Sequence, residues 1–356
     1  MKDVKPKILI CGAGRAGKSL HYDSYDKSKC DIVGFVETNT SMHQAILEEI
    51  PNIEVFDSID TALSKISKLD GVSVCTPPNT HYKTAKKFLE RGVNVLVEKP
   101  ATSNLDELET LYKLASENNC FLVVVHNHRF LEGIPYLLES VARGDVGRPT
   151  SIYREMTFTK ENVSMMEKEH WAPKLEGGRL MEAMPHSLYL VHAMSGNQEL
   201  TLEDVRIDLD DENKLTWPHC EIDELDVNFR GKGLSVHIHM AINGKTKGFG
   251  KHGPTINCVT GTEGTIFWIM GKVFIFKNAR LYPQYSPLKE LSHQIRRKLK
   301  LIFAKQSIPS SGHSGVVNSF LESLITGEKP VTSPSEALFT QRMTEEIGAI
   351  ASSKLI

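Results

Sequence analysis

Lys99 closes an apolar run, Val95-Leu96-Val97-Glu98-Lys99-Pro100, and an earlier segment reads Gly12-Ala13-Gly14-Arg15-Ala16-Gly17. A glycine turn of that kind cradles a dinucleotide pyrophosphate. Gly12 permits the tight turn, Gly14 lets backbone approach the phosphates, and Gly17 allows close helix–strand packing. The amides of Arg15 and Ala16 would face the negative charge at a helix start. The turn follows the strand-like run Lys7–Cys11 and opens a helical segment, the context that gives the pattern meaning. Glu37 ends the next strand, 20 positions after Gly17. A carboxylate there binds both ribose hydroxyls and repels a 2′-phosphate, which favours NAD over NADP. A lysine on a later strand end of the same sheet can reach the nicotinamide, so the set predicts hydride transfer. The plainer alternative is a glycine turn with a solvated glutamate and a surface lysine.

The elements that must position these groups are legible in the apolar pattern. Lys7–Cys11, Ile32–Glu37, Val72–Cys75, Asn94–Val97 and Phe121–His126 are short, often β-branched runs. Helical spacing recurs between them, as in Thr80–Arg91 and Leu105–Glu117. Gly92 and Asn118-Asn119 supply left-handed positions that close these two helices, and Ser103 or Asn104 is an N-cap. This alternation predicts an α/β, doubly wound parallel sheet over residues 1–127. Beyond it, Ser151–Thr159, Leu225–Arg230, Leu234–Ile242, Thr255–Thr260, Thr265–Met270 and Lys272–Phe276 alternate as strands joined by Gly- and Asn-bearing turns. With helices at Leu180–Met194, Val316–Thr326 and Ser335–Ser353, residues 128–356 read as an α+β domain with a mainly antiparallel sheet.

Bulk properties agree with two globular domains. The chain has 356 residues, 24% charged and 40% hydrophobic, with a net charge of −2. That balance gives no reason to expect a nucleic-acid partner. No stretch has the length of a membrane span, and the N-terminus runs into a strand with no signal peptide, so a cytoplasmic protein is expected. The six cysteines form no CxxC pair; neither a disulfide framework nor a metal site is expected. His126 and His128 share a strand face but lack a third ligand at evident spacing.

With Glu98-Lys99-Pro100 added to the glycine turn, the chain resembles the NAD(P)-dependent oxidoreductases typified by glucose–fructose oxidoreductase and inositol 2-dehydrogenase. The resemblance also rests on Cys75-Thr76-Pro77-Pro78-Asn79-Thr80-His81, His128-Arg129-Phe130, Gly144–Pro149, Gly177-Gly178, Glu182–His186 and Gly261-Thr262-Glu263-Gly264. It implies a Rossmann domain followed by a domain whose open sheet often forms an oligomer interface, hence a homodimer or homotetramer. It places Thr76, Pro77, Asn79 and His81 along the nicotinamide half of the cofactor, with Glu98 beside it and Lys99 near the reacting carbon. It suggests a cis Lys99–Pro100 peptide. Relatives usually show an Asp, Gly two residues on, and His four residues after the Asp. Here Glu182 replaces that Asp and Met184 the small residue, while His186 keeps its identity.

The expected chemistry follows. A secondary hydroxyl of a sugar, sugar nucleotide or cyclic polyol is oxidised to a ketone, with His186 as base, Lys99 polarising the oxygen and Glu182 orienting a neighbouring group. Positions 182 and 186 share one face of a helix start. Trp171 either walls a sugar pocket or belongs to the core. The same residues would serve an NAD-using glycosidase or lyase with transient oxidation, or a non-catalytic NAD-bound regulator. Leu288, Leu291, Ile295, Leu299 and Ile302 recur among basic residues, an amphipathic insertion over about 281–311. It packs on its own domain or a partner subunit, or touches a membrane surface through 288–305 or a diphosphate-bearing substrate. His237 and His239 alternate on one strand face, a candidate oligomer contact.

Overall fold

In a computed structural model of the chain, the described residues are 5–159, 175–208, 224–242, 252–277, 280–283 and 312–354. They divide into two units, Met1–Phe130 with Ile308–Leu338, and Leu131–Ser307 with Phe339–Ile356.

The first unit is built on six parallel strands: β1 (Lys7–Cys11), β2 (Asp31–Val36), β3 (Val55–Phe56), β4 (Gly71–Val74), β5 (Asn94–Val97) and β6 (Leu122–Val124). Their order is β3-β2-β1-β4-β5-β6. The chain works outward from β1 on one side and from β4 on the other, so the loops after those strands part and leave a crevice at their C-terminal ends. Both faces of a parallel sheet must be covered, which is why β1, β4 and β5 are apolar along their length. The crossovers supply α1 (His43–Glu49), α2 (Ile59–Lys65), α3 (His81–Leu89) and α4 (Leu105–Glu117). Phe88, Leu89, Leu108 and Leu111 pack with Leu9, Val72, Val74, Val95 and Val97. Asn104 is the cap of α4, accepting from the Glu107 amide at 2.9 Å, while Glu107 accepts from the Ser103 amide. Gly92 and Asn119 have φ of 69° and 52°, as the sequence requires.

Two local features differ from expectation. β3 is two residues long, too short to leave a periodic trace. The segment opened by the glycine turn, Ala16–Tyr22, winds as a wide π-type turn with Asp23 N–H donating to Lys18 O.

The second unit holds eight strands: β7 (Pro149–Phe158), β8 (Thr201–Asp208), β9 (Glu224–Gly231), β10 (Leu234–Ile242), β11 (His252–Gly261), β12 (Thr265–Ile269), β13 (Lys272–Lys277) and β14 (Arg280–Pro283). They are ordered β14-β13-β12-β11-β7-β10-β9-β8, and every pair is antiparallel except β7 with β10. Among the described residues, α5 (Ile134–Ala142) and α6 (Met184–Met194) precede β8. One sheet face packs Ile152, Met156, Phe158, Val227 and Ile238 against Leu188, Val191 and Met194 of α6. On the opposite face the register aligns Phe274, Phe267, Cys258, Tyr153 and His237 in one half-exposed row. β8 escaped the sequence reading because its Thr-Leu-Glu-Asp-Val-Arg-Ile-Asp has only Val205 buried.

The expectation that 128–356 forms one domain is corrected by the last helices, α7 (His313–Thr326) and α8 (Pro334–Ser353). Residues 308–338 group with the first unit, and the division falls within α8. The physical cause is a bare sheet face. Ile8, Leu96, Val123 and Val125 need cover, and Val316, Val317, Phe320 and Leu321 of α7 provide it. α7 lies so close that a Cβ on Gly71 would stand 2.9 Å from Leu324. Glu336, buried at the start of α8, accepts from His126 Nδ1 at 2.6 Å and from Arg129. His126 and His128 therefore do not share a strand face; β6 ends at Val124 and Asn127–Phe130 is a short helical turn.

Among the described residues no helix is long and apolar enough to cross a membrane. Trp171 and the amphipathic stretch Leu288–Ile302 lie outside the described residues; of 281–311 only residues 281–283 are described, in β14. Truncating Phe320 to Ala should cost about 3–5 kcal/mol of stability, read from the urea midpoint. A loss under about 1 kcal/mol would mean that α7 does not complete the first core.

Candidate functional site

The glycine turn sits between the ends of β1, β2 and β4, and each glycine has its own reason. Gly12 has φ of +93°, and a Cβ there would meet Cys75 O at 2.6 Å. A Cβ on Gly17 would stand 1.9 Å from Gly12 O, so the following turn can approach the strand only without a side chain. Gly14 is exposed, and a Cβ there would meet nothing within 4 Å, so open space lies where a ligand's phosphates would approach. Beside the turn, Glu37 is fixed by amides: Ala13 N–H donates to Oε2 at 3.1 Å and Asn39 N–H to Oε1 at 2.9 Å. Arg15 is exposed and Ala16 half-buried. A glycine turn open at Gly14 and flanked by an oriented carboxylate fits a dinucleotide.

Lys99 lies two residues past β5, and its segment is gripped from both sides. The Glu98 carboxylate is buried; Oε2 accepts from Lys99 N–H at 3.2 Å, and Oε1 accepts from His21 Nε2 at 3.0 Å and His313 Nε2 at 3.3 Å. Burial alone would raise this carboxyl, but hydrogen bonds from the two imidazoles outweigh it and hold the group well below the usual carboxylate range. On the other side, His81 lies with Nδ1 2.7 Å from Pro100 O and Nε2 2.7 Å from Thr76 O. Burial lowers that imidazole below its ordinary value, with the two carbonyls opposing. The Lys99–Pro100 peptide is cis. Thr80 Oγ1 donates to Thr76 Oγ1 at 2.7 Å, while Pro77 and Asn79 are exposed on the same loop.

The first unit thus assembles Gly12, Gly14, Arg15, Ala16, Gly17 and Glu37 around one turn, and Thr76, His81, Glu98 and Lys99 around one pair of strand ends. Within that set, His81 and Glu98 hold protein backbone. Both shape the loops that carry Thr76 and Lys99.

In the second unit, Gly177 and Gly178 lead into a tight turn, Arg179–Glu182, followed by α6. A Cβ on Gly177 would stand 3.0 Å from Gly348 Cα of α8, so both chains need glycine to pass. The expected single helix over Leu180–Met194 is interrupted. Pro185 lacks an amide and starts α6 anew, which leaves Glu182 on the tight turn and His186 in the first turn of the helix. Positions 182 and 186 are therefore not two steps of one continuous α-helix face. Glu182 is half-buried; His186 is buried, with Nδ1 2.9 Å from the Tyr189 hydroxyl. Sequence reasoning missed Arg154, which is 1% exposed on β7. Its Nε donates to Ser187 Oγ at 2.9 Å and its Nη1 to Asn257 Oδ1 at 2.6 Å, pinning the residue after His186 to the sheet. Burial lowers this guanidinium to about 10. The available signal was phase: Arg154 falls in step with inward-facing Ile152 and Met156.

Comparison with known proteins bears on this arrangement. Residues 6–126 match the model of the oxidoreductase family with an NAD-binding Rossmann fold. The chain is 29% identical over 142 residues to D-glucoside 3-dehydrogenase of Escherichia coli (strain K12), covering 40% of each chain. It is 25% identical over 202 residues to UDP-N-acetylglucosamine 3-dehydrogenase of Acidithiobacillus ferrooxidans, covering 56% of this chain and 57% of that protein. These matches thus span about half the length of the curated relatives. The crystal structure of the WlbA dehydrogenase from Bordetella pertussis in complex with NADH and UDP-GlcNAcA superposes with a TM-score of 0.75 at 17% identity, covering 99% of this chain and 97% of that one. That last likeness is one of fold.

The two glycines separate stability from ligand approach. Gly14→Ala should leave the unfolding midpoint unchanged within about 0.5 kcal/mol yet weaken dinucleotide binding about tenfold or more by calorimetry. Gly17→Ala should lower stability as well. Equal binding by Gly14→Ala and the parent protein would remove the turn from the binding site.

Proposed function

We propose that the protein is an NAD-dependent dehydrogenase that oxidises a secondary hydroxyl of a sugar, sugar nucleotide or cyclic polyol to a ketone, a reading supported by the match of residues 6–126 to the model of the oxidoreductase family with an NAD-binding Rossmann fold. The observation that carries this reading is the pairing of an open glycine turn and fixed Glu37 with a lysine segment held at a neighbouring strand end.

Gly12, Gly14, Arg15, Ala16 and Gly17 hold the pyrophosphate, and Glu37 takes the ribose hydroxyls. Because two amides orient the Glu37 carboxylate, a 2′-phosphate beside it would meet a fixed negative charge; this supports NAD over NADP. Thr76, Pro77 and Asn79 border the nicotinamide, whose ring supplies the hydride acceptor. Lys99 donates a hydrogen bond to the substrate oxygen and stabilises the negative charge that develops there. His186 removes the hydroxyl proton. Its Nδ1 lies 2.9 Å from the Tyr189 hydroxyl, a contact that orients the ring. An imidazole suits this role because its ordinary pKa lies near neutrality. Glu182 orients a neighbouring hydroxyl. The sugar and sugar-nucleotide dehydrogenases among the relatives support the substrate class.

Among the described residues no element covers the second face of this sheet, which supports assembly as a homodimer or homotetramer. Phe276 and Ile269 are 42% and 40% exposed there, beside half-buried Phe267 and Phe274.

Lys99→Ala and His186→Ala should each lower turnover by about 10²–10⁴-fold while NAD binding persists, measured as NADH formation across nucleotide sugars, free sugars and inositols. Near-normal rates in both variants would refute the mechanism. Ile269→Asp should shift the sedimentation coefficient toward that of the monomer; an unchanged value would place assembly elsewhere.

A further inference from the structure

We infer that His21 and His313, acting through Glu98, are positioning residues that fix the Lys99–Pro100 segment. The inference rests on the reading of Lys99 as the group that polarises the substrate oxygen.

A carboxylate only accepts hydrogen bonds, so the imidazole nitrogens facing Glu98 Oε1 at 3.0 and 3.3 Å both present N–H. Two donors on Oε1, approaching from different segments, stop the carboxylate from turning about its last bond. Its second oxygen is thereby left facing the Lys99 amide, 3.2 Å away. His21 is wholly buried, and among the described residues its Nδ1 has no hydrogen-bond partner, while its Nε2 meets Glu98. The His81 ring packs at the same time between Pro100 O and Thr76 O, with Nδ1 2.7 Å from the former. The two residues of the cis peptide are thus tied at the amide of one and the carbonyl of the other.

The pieces come from far apart in the chain. His21 lies in the wide turn that follows the glycines, Glu98 follows β5, and His313 is the first residue of α7. Docking of α7 does not need the imidazole pair. Asn318 independently fastens it, with Nδ2 donating to Ser24 O at 2.8 Å and Oδ1 accepting from Asp26 N–H at 3.1 Å. Phe320 and Leu321 bury the rest. A buried acid with two histidines is therefore superfluous as a staple for this helix. The same acid reaches the Lys99 amide, one bond from the Cα that carries the side chain.

The test reads Lys99 directly and needs no substrate. The full-length protein is reductively methylated with isotope-labelled formaldehyde, and the Lys99 dimethylamine resonance is identified by its loss in Lys99→Arg. In His313→Ala and in Glu98→Gln this resonance should move toward the position shared by exposed lysines. In His313→Gln, whose side-chain amide still offers an N–H, it should stay near the native position. NAD affinity should remain within about twofold in His313→Ala and His313→Gln. A native resonance in both His313→Ala and Glu98→Gln overturns the proposal. So does an equal shift in His313→Gln and His313→Ala, which would make the effect one of packing. Glu98→Gln keeps the question open to refutation if His313→Ala fails to fold. Turnover of Lys99→Ala is the separate control: if it matches the parent, the catalytic reading of Lys99 falls, while the resonance still decides whether Glu98 positions that segment.

Discussion

A carboxylate buried at the end of a central strand is tolerated only if everything packed around it donates hydrogen bonds. Glu98 meets that constraint with two imidazoles and a backbone amide, and much of the first unit is arranged to deliver them. The turn after the glycines winds wide over Ala16–Tyr22 and carries His21 to the carboxylate. A helix from late in the chain returns to carry His313. The lysine beside the acid inherits a fixed backbone from the arrangement. One ionised group at a strand end thus couples the phosphate turn, the lysine segment and the chain's return.

Much of this was legible beforehand, because periodicity reports burial and the first sheet is buried on both faces. β1, β5 and α4 run over the residues that the apolar pattern marked. What escaped was either too short or too polar to leave a pattern. β3 is two residues, and β8 is an edge strand whose solvated side chains break alternation. The assignment of His313–Thr326 failed for a different reason. An amphipathic helix shows which of its faces is apolar and nothing about which sheet that face will meet. Only the bare surface of Ile8, Leu96 and Val123 decides it.

The candidate site divides along the same line. Residue types that do one thing wherever they occur, such as Gly12 with its positive φ or Gly17 pressed against a carbonyl, could be assigned from the sequence. Side chains that can serve either ligand or backbone have contacts that only the folded chain displays. His81 and Glu98 sit in the right loops, yet their polar atoms are taken up by Thr76, Pro100, Lys99, His21 and His313. Arg154 remained hidden because a lone charge in a strand is usually solvated, and only its phase with Ile152 and Met156 betrays burial.

The return of α7 to the first sheet has a bearing on synthesis. A ribosome delivers β1 through β6 long before residues 313–326, so a nearly complete sheet must wait with one greasy flank uncovered. During that interval the nascent chain presents Ile8, Leu96, Val123 and Val125 to water or to a chaperone, and the first unit matures only after most of the second has been translated.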